Sequence, residues 1–483
     1  MSDMLDLPLD PARITAPIIG VADVEPGTRV VPIHVVSTAG FERLKARLEP
    51  RELAYLADRQ FGAEPGQVRR VPGEDGTTKL VLLGAGERGR DEEGELRVGA
   101  LGARLPEGHY RIDALPRGWD AERAALAFAL GTYRFDPYLR DRKARPTLVL
   151  GKDRNVEEVS LLARAIHYGR GLIDMPAGDM GPEALEATAR HLAKAYGAEV
   201  SSVVGRELLE RNYPMIHAVG RAAHEAPRLV EFEWGDPSHP RLAIIGKGIT
   251  FDTGGVNMKS STGARLMKKD MGGAAHALSL AMAIMGAKLP LRLHCLIAIA
   301  ENAVGAGAYR PGDILQSRAG ITVEIDNTDA EGRLVMGDAL AKATESDPAL
   351  IMDFATLTGA ARVALGPSIP PFFSNREGPV DSVVETAMAH ADPVWRLPLW
   401  QPYNSLLASP IADCKNAGGS FAGAVTAGLF LERFVDGRPW MHFDVYGWNP
   451  TSRPATPKGA EIYAVRALFA WLKGGGLNSD LSK

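Results

Sequence analysis

The sequence predicts an α/β fold, with a small N-terminal α/β domain in residues 1–150, a linker helix in residues 151–175 and a larger C-terminal α/β domain in residues 176–483. Two observations support this fold class. Strand-like runs alternate with helical patterns along most of the chain, and the strands of the C-terminal part are almost continuously apolar. Strands of that kind belong to a mostly parallel sheet whose two faces are both covered by helices.

The N-terminal part contains the elements of a small α/β domain. Strand-like runs occupy residues 29–36, 79–83 and 147–150, and helical patterns occupy residues 41–47 and 121–132. The runs are short, rich in Val, Ile and Leu, and bounded by polar or turn-forming residues, as strands are.

A long helical pattern separates the two parts of the chain. Residues 155–173 carry apolar side chains on one face, and Met175-Pro176-Ala177-Gly178 ends the pattern. Beyond it, strands are predicted at residues 241–245, 291–299, 349–354 and 440–445. Helices are predicted between them, including residues 272–285 and 335–343. This alternation predicts crossover connections between parallel strands.

A glycine-rich turn follows the strand predicted at residues 79–83. Its sequence, Gly84-Ala85-Gly86-Glu87-Arg88-Gly89, formally matches a dinucleotide-binding fingerprint. The charged residues 90–94 that follow are a poor start for a helix that would bind a pyrophosphate, so a solvated turn is favoured. Nucleotide binding by the N-terminal domain is the alternative hypothesis.

Charge, hydropathy and cysteine content predict a cytoplasmic protein. The chain has 55 basic and 59 acidic residues and a net charge of -4, which gives no reason to expect nucleic-acid or membrane binding. The apolar run at residues 277–287 is too short to cross a bilayer, and the first residues lack the pattern of a secretory signal. Two cysteines, Cys295 and Cys414, are too few for a disulfide framework and fit a reducing compartment.

The most informative segment is Asn327-Thr328-Asp329-Ala330-Glu331-Gly332-Arg333-Leu334. It places two carboxylates and a guanidinium at alternate positions among small and apolar residues. In an extended segment, this spacing points Asp329, Glu331 and Arg333 to one side. Charged groups collected on one face beside apolar strands need partners or metal ions.

A second group of charged residues lies upstream, at Lys247, Asp252, Lys259 and Asp270. Lys247 comes directly after the strand predicted at residues 241–245, and open α/β sheets bind ligands at the carboxyl ends of their strands. Taken singly, each residue has an ordinary explanation. Asp270 can cap the helix that follows it, Asp252 can cap a turn, and both lysines can be solvated.

Together the two groups supply four carboxylates without any histidine or cysteine. Carboxylate oxygens suit hard divalent ions, and several of them can bridge two ions. Two ions about 3.5–4 Å apart commonly hold a water nucleophile and stabilise an oxyanion during hydrolysis. The residues therefore predict a two-metal hydrolytic site.

In its motifs the chain resembles the leucyl aminopeptidase family (cytosol aminopeptidases, metallopeptidase family M17). The segment Asn327–Leu334 matches the family signature. Upstream motifs match in sequence and spacing: Gly246-Lys247-Gly248, Phe251-Asp252-Thr253-Gly254-Gly255, Met258-Lys259 and Lys269-Asp270-Met271-Gly272-Gly273. Further matches are Tyr309–Asp313, Ala355–Ala360, Ile411–Asp413 and Gly423–Ala427. The resemblance covers residues 155–483, and residues 1–150 correspond by position to the macro-like domain of the family.

The resemblance implies a role for each charged residue. Asp252 and Glu331 would bridge two divalent metal ions, Lys247 and Asp270 would complete the tighter site, and Asp329 would complete the more exchangeable one. Zinc and manganese are the favoured ions, with magnesium and cobalt as alternatives. A lysine ligates only as the neutral amine, so the pKa of Lys247 is expected to be lowered beside two cations.

Catalytic and substrate-binding residues are implied by the same resemblance. Lys259 would donate to the scissile carbonyl, and Arg333 would hold a bicarbonate ion that acts as the general base. The binding site for the peptide and its first side chain would be formed by Met267, Thr356, Leu357, Gly359 and Tyr446.

The implied function is a two-metal aminopeptidase that removes the N-terminal residue of peptides by means of a metal-bridged water or hydroxide. The family also implies a homohexamer whose active sites face an internal cavity. No membrane or nucleic-acid partner is expected. The alternative is a DNA-binding or nucleotide-binding regulatory protein with secondary peptidase activity, which the net charge of -4 does not favour.

Tyr446 departs from the family pattern, which commonly has a small residue, often alanine, at this position. A bulky side chain here would reshape the first side-chain pocket and weaken the preference for leucine. The alternative is a tyrosine directed into the core with its hydroxyl bonded to a partner. The loop at residues 303–307 also differs from the family pattern.

Overall fold

The computed structural model describes residues 9–11, 13–87 and 93–479, which form two units. The smaller unit consists of residues 14–167 and 451–458, and the larger unit contains the other described residues. The boundary at residue 167 lies inside a single helix, Val156–Asp174, in the region where the sequence predicts a linker helix. The domain limits at residues 150 and 175 stay a prediction.

The smaller unit is built on a six-stranded sheet. Its elements are β1 (Ile18–Gly20), β2 (Val30–Val36), α1 (Thr38–Lys45), α2 (Pro50–Asp58), β3 (Val68–Pro72), β4 (Thr78–Gly84), α3 (Gly99–Arg104), β5 (Gly108–Ala114), α4 (Ala121–Gly131) and β6 (Pro146–Leu150). The strand order is β1-β6-β5-β2-β4-β3, and only the edge strand β3 is antiparallel to its neighbour. Helix α1 begins earlier than predicted because the Ser37 side chain accepts from the Gly40 N–H and caps it.

The glycine-rich turn after β4 is buried, so the prediction of a solvated turn is wrong for Gly84, Ala85 and Gly86. Their N–H groups all donate to backbone carbonyls of the same unit, at 2.8–2.9 Å. A Cβ on Gly84 would overlap the backbone of Ala63 and Glu64, so this close approach requires glycine. The three N–H groups are therefore not free to bind a pyrophosphate. The end of the motif lies outside the described residues.

The remaining helices and strands belong to the larger unit, except that the first of them, Val156–Asp174, begins in the smaller unit. They are α5 (Val156–Asp174), α6 (Pro182–Ala195), β7 (Glu199–Val204), α7 (Glu207–Glu210), α8 (Pro214–Gly220), β8 (Arg228–Trp234), β9 (Arg241–Asp252), α9 (Ser261–Ala264), α10 (Gly272–Gly286), β10 (Arg292–Asn302), β11 (Ile314–Gln316), β12 (Thr322–Glu324), α11 (Gly332–Thr344), β13 (Leu350–Ala355), α12 (Gly359–Leu365), β14 (Pro371–Ser374), α13 (Gly378–Ala389), β15 (Trp395–Arg396), β16 (Cys414–Lys415), α14 (Gly423–Glu432), β17 (Trp440–Asp444), β18 (Trp448–Asn449), β19 (Gly459–Ala460), α15 (Val465–Lys473) and α16 (Gly476–Ser479). Among the helices described, none is long and apolar enough to cross a membrane.

The central sheet of this unit has the strand order β15-β14-β17-β13-β9-β10-β8-β7. At its centre β17, β13, β9 and β10 are parallel neighbours, and β8 and β7 extend it as antiparallel strands. The predicted α/β fold class, with a small N-terminal part and a larger part built on a mostly parallel sheet, is confirmed.

Strand β9 is covered by α10 on one face and by α11 on the other. Ala243 shares a hydrophobic core with Leu334 of α11. On the opposite face, a Cβ on Gly246 would lie only 2.6 Å from Ala274 Cα of α10, so glycine is needed there. Because side chains alternate along a strand, Lys247 lies on the same face as Ala243, where α11 begins.

Candidate metal centre

The charged residues predicted to form a site meet at the carboxyl end of the parallel strands. Asp252 is the last residue of β9 and pairs with Asn302 at the end of β10. Thr356 follows β13, and Asp444 ends β17. Lys247 lies within β9 rather than after it, because the strand continues to Asp252. This is the edge of an open α/β sheet at which ligands bind.

Lys247 is the centre of the first ion-pair group. Its Nζ lies 2.7 Å from Asp270 Oδ2 and 2.8 Å from Glu331 Oε1, and it donates to the Thr356 carbonyl at 2.9 Å. All three charged side chains are buried. A Cβ on Gly332 would lie 2.6 Å from Lys247 Cε, so the glycine of the signature segment makes room for the lysine.

Lys259 forms a second group with the other two carboxylates. Its Nζ lies 2.8 Å from Asp252 Oδ2 and also pairs with Asp329 Oδ1. The Lys259 side chain is 15% exposed and that of Asp329 is 33% exposed. This half of the cluster is therefore open to solvent, whereas the half around Lys247 is closed.

Neutral side chains hold Asp252 in place. Asn302 Nδ2 donates to Asp252 Oδ1 at 2.8 Å and to the Thr328 carbonyl at 3.1 Å. The Tyr309 hydroxyl donates to the same carbonyl at 2.7 Å, and the Gly254 N–H donates to Asp252 Oδ1 at 2.9 Å. The sequence gives Asn302 no predicted role, and its only signal is the position at the end of an apolar strand.

Asn416 forms hydrogen bonds with the backbone of the turn that leads into the signature segment. Its Oδ1 accepts from the N–H groups of Asp326 at 2.9 Å and Asn327 at 3.1 Å, and its Nδ2 donates to the Asn327 carbonyl at 2.7 Å. The carbonyl of Asn416 accepts from Arg333 Nη1 at 2.7 Å. Asn416 lies directly after β16, and no pattern in the sequence marks it.

The signature segment is not extended, so the prediction that alternation points its three charged side chains to one side is wrong. Asp329 lies in a turn, and Glu331, with φ -70° and ψ -34°, is the N-cap of α11. The helix begins at Gly332, and Leu334 in its first turn is buried in the hydrophobic core. As a result Asp329, Glu331 and Arg333 contact three different sets of partners.

The cluster carries more negative than positive charge, because four carboxylates face two lysines. Burial and the neighbouring Asp252 carboxylate raise the pKa of Glu331 and that of Asp329. Burial lowers the pKa of Lys247, but the surrounding carboxylates outweigh burial and its pKa lies above the ordinary value. Divalent cations would relieve the repulsion between the carboxylates. The lowered pKa expected for Lys247 concerns the metal-loaded site and stays a prediction.

The donor set fits a divalent ion. One oxygen each from Asp252, Asp329 and Glu331 lies within 4.8 Å of the others. Glu331 Oε2 is buried, and among the described residues it has no hydrogen-bond partner. Buried acceptors are normally paired, so this atom marks a place for an ion. Oxygen-rich donor sets of this kind suit hard divalent cations.

Arg333 lies in the first turn of α11, buried beside the cluster. Its guanidinium carbon lies 6.0 Å from the centroid of the Phe430 ring. Arg333 Nε is buried without a hydrogen-bond partner in the part of the chain that the structure describes. Burial lowers the pKa of Arg333 to about 10, which leaves it charged at neutral pH. A guanidinium with an unused N–H group can bind an anion.

The loop after β13 carries two of the predicted substrate-binding residues, and one of them, Thr356, contacts the metal centre. The Thr356 hydroxyl donates to Asp270 Oδ1 at 2.8 Å. The N–H groups of Leu357 and Thr358 donate to Asp444 Oδ1 at 3.0 and 3.2 Å. Asp444 therefore fixes this loop, although the sequence gives it no predicted role.

Tyr446 is half-buried at the same edge of the sheet, not in the core. Two cations contact its ring: Lys269 Nζ lies 5.0 Å and Arg362 Cζ 4.8 Å from the ring centroid. Lys269 belongs to a 3-10 helix that begins at the half-buried Met267, and Arg362 belongs to α12, which begins at Gly359. Burial lowers the pKa of Lys269 to about 8.

Comparisons with known sequences match both parts of the chain to one family. Residues 167–469 match the family model described as cytosol aminopeptidase family, catalytic domain, and residues 31–151 match that of the M17 aminopeptidase N-terminal domain. A probable cytosol aminopeptidase of Geotalea uraniireducens is 35% identical over 448 residues, covering 86% of this chain and 90% of that protein. One of Roseiflexus castenholzii is 36% identical over 423 residues, covering 82% and 87%.

Solved structures give the same result. The crystal structure of cytosol aminopeptidase from Coxiella burnetii is similar with a TM-score of 0.88 and 40% identity, over 95% of this chain and 99% of that chain. The bottromycin maturation enzyme BotP in complex with Mn is similar with a TM-score of 0.84 and 32% identity, over 92% and 99%.

A buried group of carboxylates at the carboxyl ends of parallel strands fits a metal-dependent hydrolase. Together with matches over both parts of the chain, it shows that the protein belongs to the cytosol aminopeptidase family, M17, and is a metallo-aminopeptidase. The predicted family and enzyme class are confirmed.

Proposed function

We propose that this enzyme is a two-metal aminopeptidase that hydrolyses the N-terminal residue from peptides. One observation carries the proposal. Oxygens of Asp252, Asp329 and Glu331 approach one another within 4.8 Å, while Lys247 joins Glu331 to Asp270.

Asp252 and Glu331 would hold both ions, Lys247 and Asp270 would complete one site, and Asp329 would complete the other. When bound, the ions supply the Lewis acidity that activates a water molecule and polarises the scissile carbonyl. Lys247 can serve as a ligand only after it loses its proton, so metal binding would release protons. Zinc and manganese are the favoured ions, with magnesium and cobalt as alternatives.

Lys259 would be the catalytic donor. It lies at the more open end of the cluster, between Asp252 and Asp329, where a peptide can reach it. From there its ammonium group would donate to the scissile carbonyl oxygen and stabilise the negative charge that develops on it.

Arg333 would hold a bicarbonate ion that acts as the general base. Its Nε–H group is buried beside the metal centre and has no hydrogen-bond partner among the described residues, which supports this role. The charged guanidinium would keep the anion in place, and the bound anion would supply general-base chemistry beside the metal centre.

The peptide and its first side chain would bind beside Met267, Thr356, Leu357, Gly359 and Tyr446. The contact between the Thr356 hydroxyl and Asp270 supports this location. The Tyr446 ring would reshape the pocket, so that leucine is favoured less than in family members with a small residue at this position.

Metal removal tests the proposal directly. After dialysis against a chelator, the enzyme should no longer release the N-terminal residue from a peptide amide. Addition of zinc, manganese, cobalt or magnesium, each alone, should restore activity with at least one ion. Full activity in metal-free protein would contradict the proposal.

Substitution of the ligands tests their assignment. Asp252→Ala and Glu331→Gln should each lower kcat/KM by more than about a hundredfold. Loss of a residue that only hydrogen-bonds to a metal ligand already lowers activity by up to about that factor. Asp326→Ala is the matched control, because Asp326 is an exposed carboxylate directly before the signature segment. It should change kcat/KM by less than about twofold, as exposed substitutions away from a site generally do little. Near-normal activity of Asp252→Ala would refute the metal assignment.

We also propose a homohexamer and a cytoplasmic location. Val363 and Phe421 are 83% and 82% exposed, and large exposed apolar side chains of this kind support a subunit interface. The names of the relatives, probable cytosol aminopeptidases, support the location.

A further inference from the structure

Lys269 is a buried basic residue directly before the predicted metal ligand Asp270. The residue is only 6% exposed, and in the described ranges of the chain no carboxylate forms an ion pair with its ammonium group. The adjacent Asp270 is already engaged by Lys247 and by the Thr356 hydroxyl. Buried charges are normally paired, and the described residues supply no such partner for Lys269.

Tyr446 brings a second cation, the exposed Arg362, to the same place. Lys269 Nζ and Arg362 Cζ lie 5.0 and 4.8 Å from the centroid of its ring. Arg362 likewise forms no ion pair with any residue that the structure describes. The nearby Asp444 accepts instead from the N–H groups of Leu357 and Thr358. The aromatic ring compensates part of the missing charge by cation–π contact, but it cannot replace an anion.

This group of residues lies beside the metal centre. A Cβ on Gly272 would lie 2.9 Å from Thr356 Cγ2 and 3.6 Å from Gly447 Cα. Thr356 and Gly447, the residue after Tyr446, therefore meet at the start of α10, two residues after Asp270. Because Thr356 also binds Asp270, the two cations lie where the first side chain of a peptide would be expected.

We propose that Lys269, Tyr446 and Arg362 form a pocket for the carboxylate of an acidic N-terminal residue, glutamate or aspartate. The proposal rests on the proposed function, because it requires the first side chain to lie beside Tyr446. Lys269 and Arg362 donate charge-assisted hydrogen bonds to the carboxylate, and the ring packs against its methylene groups. Family members with a small residue at the tyrosine position would lack this ring.

The test compares two substrates that differ in charge but not in shape. The metal-restored full-length enzyme is assayed with the p-nitroanilides of glutamate and glutamine, with the leucine compound as reference. The kcat/KM of the glutamate compound should be about ten times that of the glutamine compound or more, because one charge-assisted hydrogen bond contributes about that factor. A ratio at or below one, or kcat/KM highest for leucine, would overturn the proposal.

Two lysine variants locate the effect. Lys269→Met should bring the glutamate-to-glutamine ratio close to one. Lys268→Met is the matched control, because it removes the same charge from the adjacent residue, whose ammonium group donates to the Asp174 carbonyl instead. It should leave the ratio unchanged. An equal fall in both variants, or in neither, would overturn the proposal.

Thermal unfolding of each variant shows whether it is folded. If Lys269→Met does not fold, Arg362→Gln decides, because Arg362 is exposed and exposed substitutions generally change stability little. That variant should lower the ratio severalfold, and an unchanged ratio would overturn the proposal. Failure of the metal-restored enzyme to hydrolyse any of the three anilides would instead count against the proposed function itself.

Discussion

At the scale of single residues, Asn302 shows how a neutral side chain keeps a group of like charges together. Its amide donates to Asp252 and to the Thr328 carbonyl, which joins the end of β9 to the turn before α11. An oxygen of Asp252 lies close to oxygens of two other carboxylates, and repulsion between like charges would separate them if no hydrogen bonds held Asp252. Residues that orient metal ligands in this way have large effects on metal affinity.

Asn302→Ala should therefore weaken metal binding. We expect the affinity for zinc or manganese to fall about tenfold to a hundredfold, the usual effect of losing a partner of a metal ligand. Competition with a chromophoric chelator measures the change, and Asn404→Ala is the control because Asn404 lies away from the site, beside Gln401. Equal metal affinity of wild type and Asn302→Ala would show that Asp252 needs no such support.

The sequence predicts the charged residues of the site better than the neutral ones. Lys247, Asp252 and Glu331 can be recognised because charged side chains are unusual among apolar runs. Asn302 and Asn416 act through amide groups that are equally common in surface turns, and their partners are remote in the chain. Only the folded chain brings such residues together, so no local pattern marks them.

At the scale of elements, Asp338 connects α11 to the helix that packs beside it. Its Oδ2 accepts from the N–H groups of Met215 and Ile216, at 2.8 and 3.2 Å, in the first turn of α8. Its Oδ1 accepts from the Arg318 N–H at 2.8 Å. Asp338 is completely buried, so water cannot replace these bonds.

Asp338→Ala should strongly destabilise the enzyme. Three backbone N–H groups would lose their acceptor, and each unsatisfied buried group costs about 1–3 kcal/mol. We expect the free energy of unfolding, measured by urea denaturation, to fall by about 3 kcal/mol or more. Asp381→Ala removes an exposed carboxylate from α13 and should change it by less than about 0.5 kcal/mol. Similar values for the two variants would mean that water reaches the α8 N-terminus.

The positions of elements can be predicted more accurately than their ends. Apolar runs identify β9 and α11, but β9 continues to Asp252 through Lys247, a residue that would normally end a buried strand. The ion pairs of Lys247 make this continuation favourable. Likewise α11 starts at Gly332 because the ligand in front of it, Glu331, is held by the same lysine. Tertiary contacts, not local preferences, determine both ends.

At the scale of the whole molecule, the proposed hexamer gives a direct prediction. Sedimentation velocity should detect one species with six times the mass of the chain. Phe421→Asp should shift it to smaller assemblies, because a charge would replace an exposed apolar side chain. Asp436→Ala, also at an exposed position, should leave the mass unchanged. A monomer at assay concentrations would contradict the hexamer.

The smaller unit has a consequence for the order of events during synthesis. It is completed by residues 451–458, where Ala455 lies so close to Gly99 that a Cβ on the glycine would overlap it. A ribosome must therefore make nearly the entire chain before this unit receives its last segment. Until residues 451–458 have been synthesised, the surface that they cover on residues 14–167, the first 154 residues of the unit, stays exposed. Any expression fragment that ends at the helix α5 would keep that surface exposed permanently.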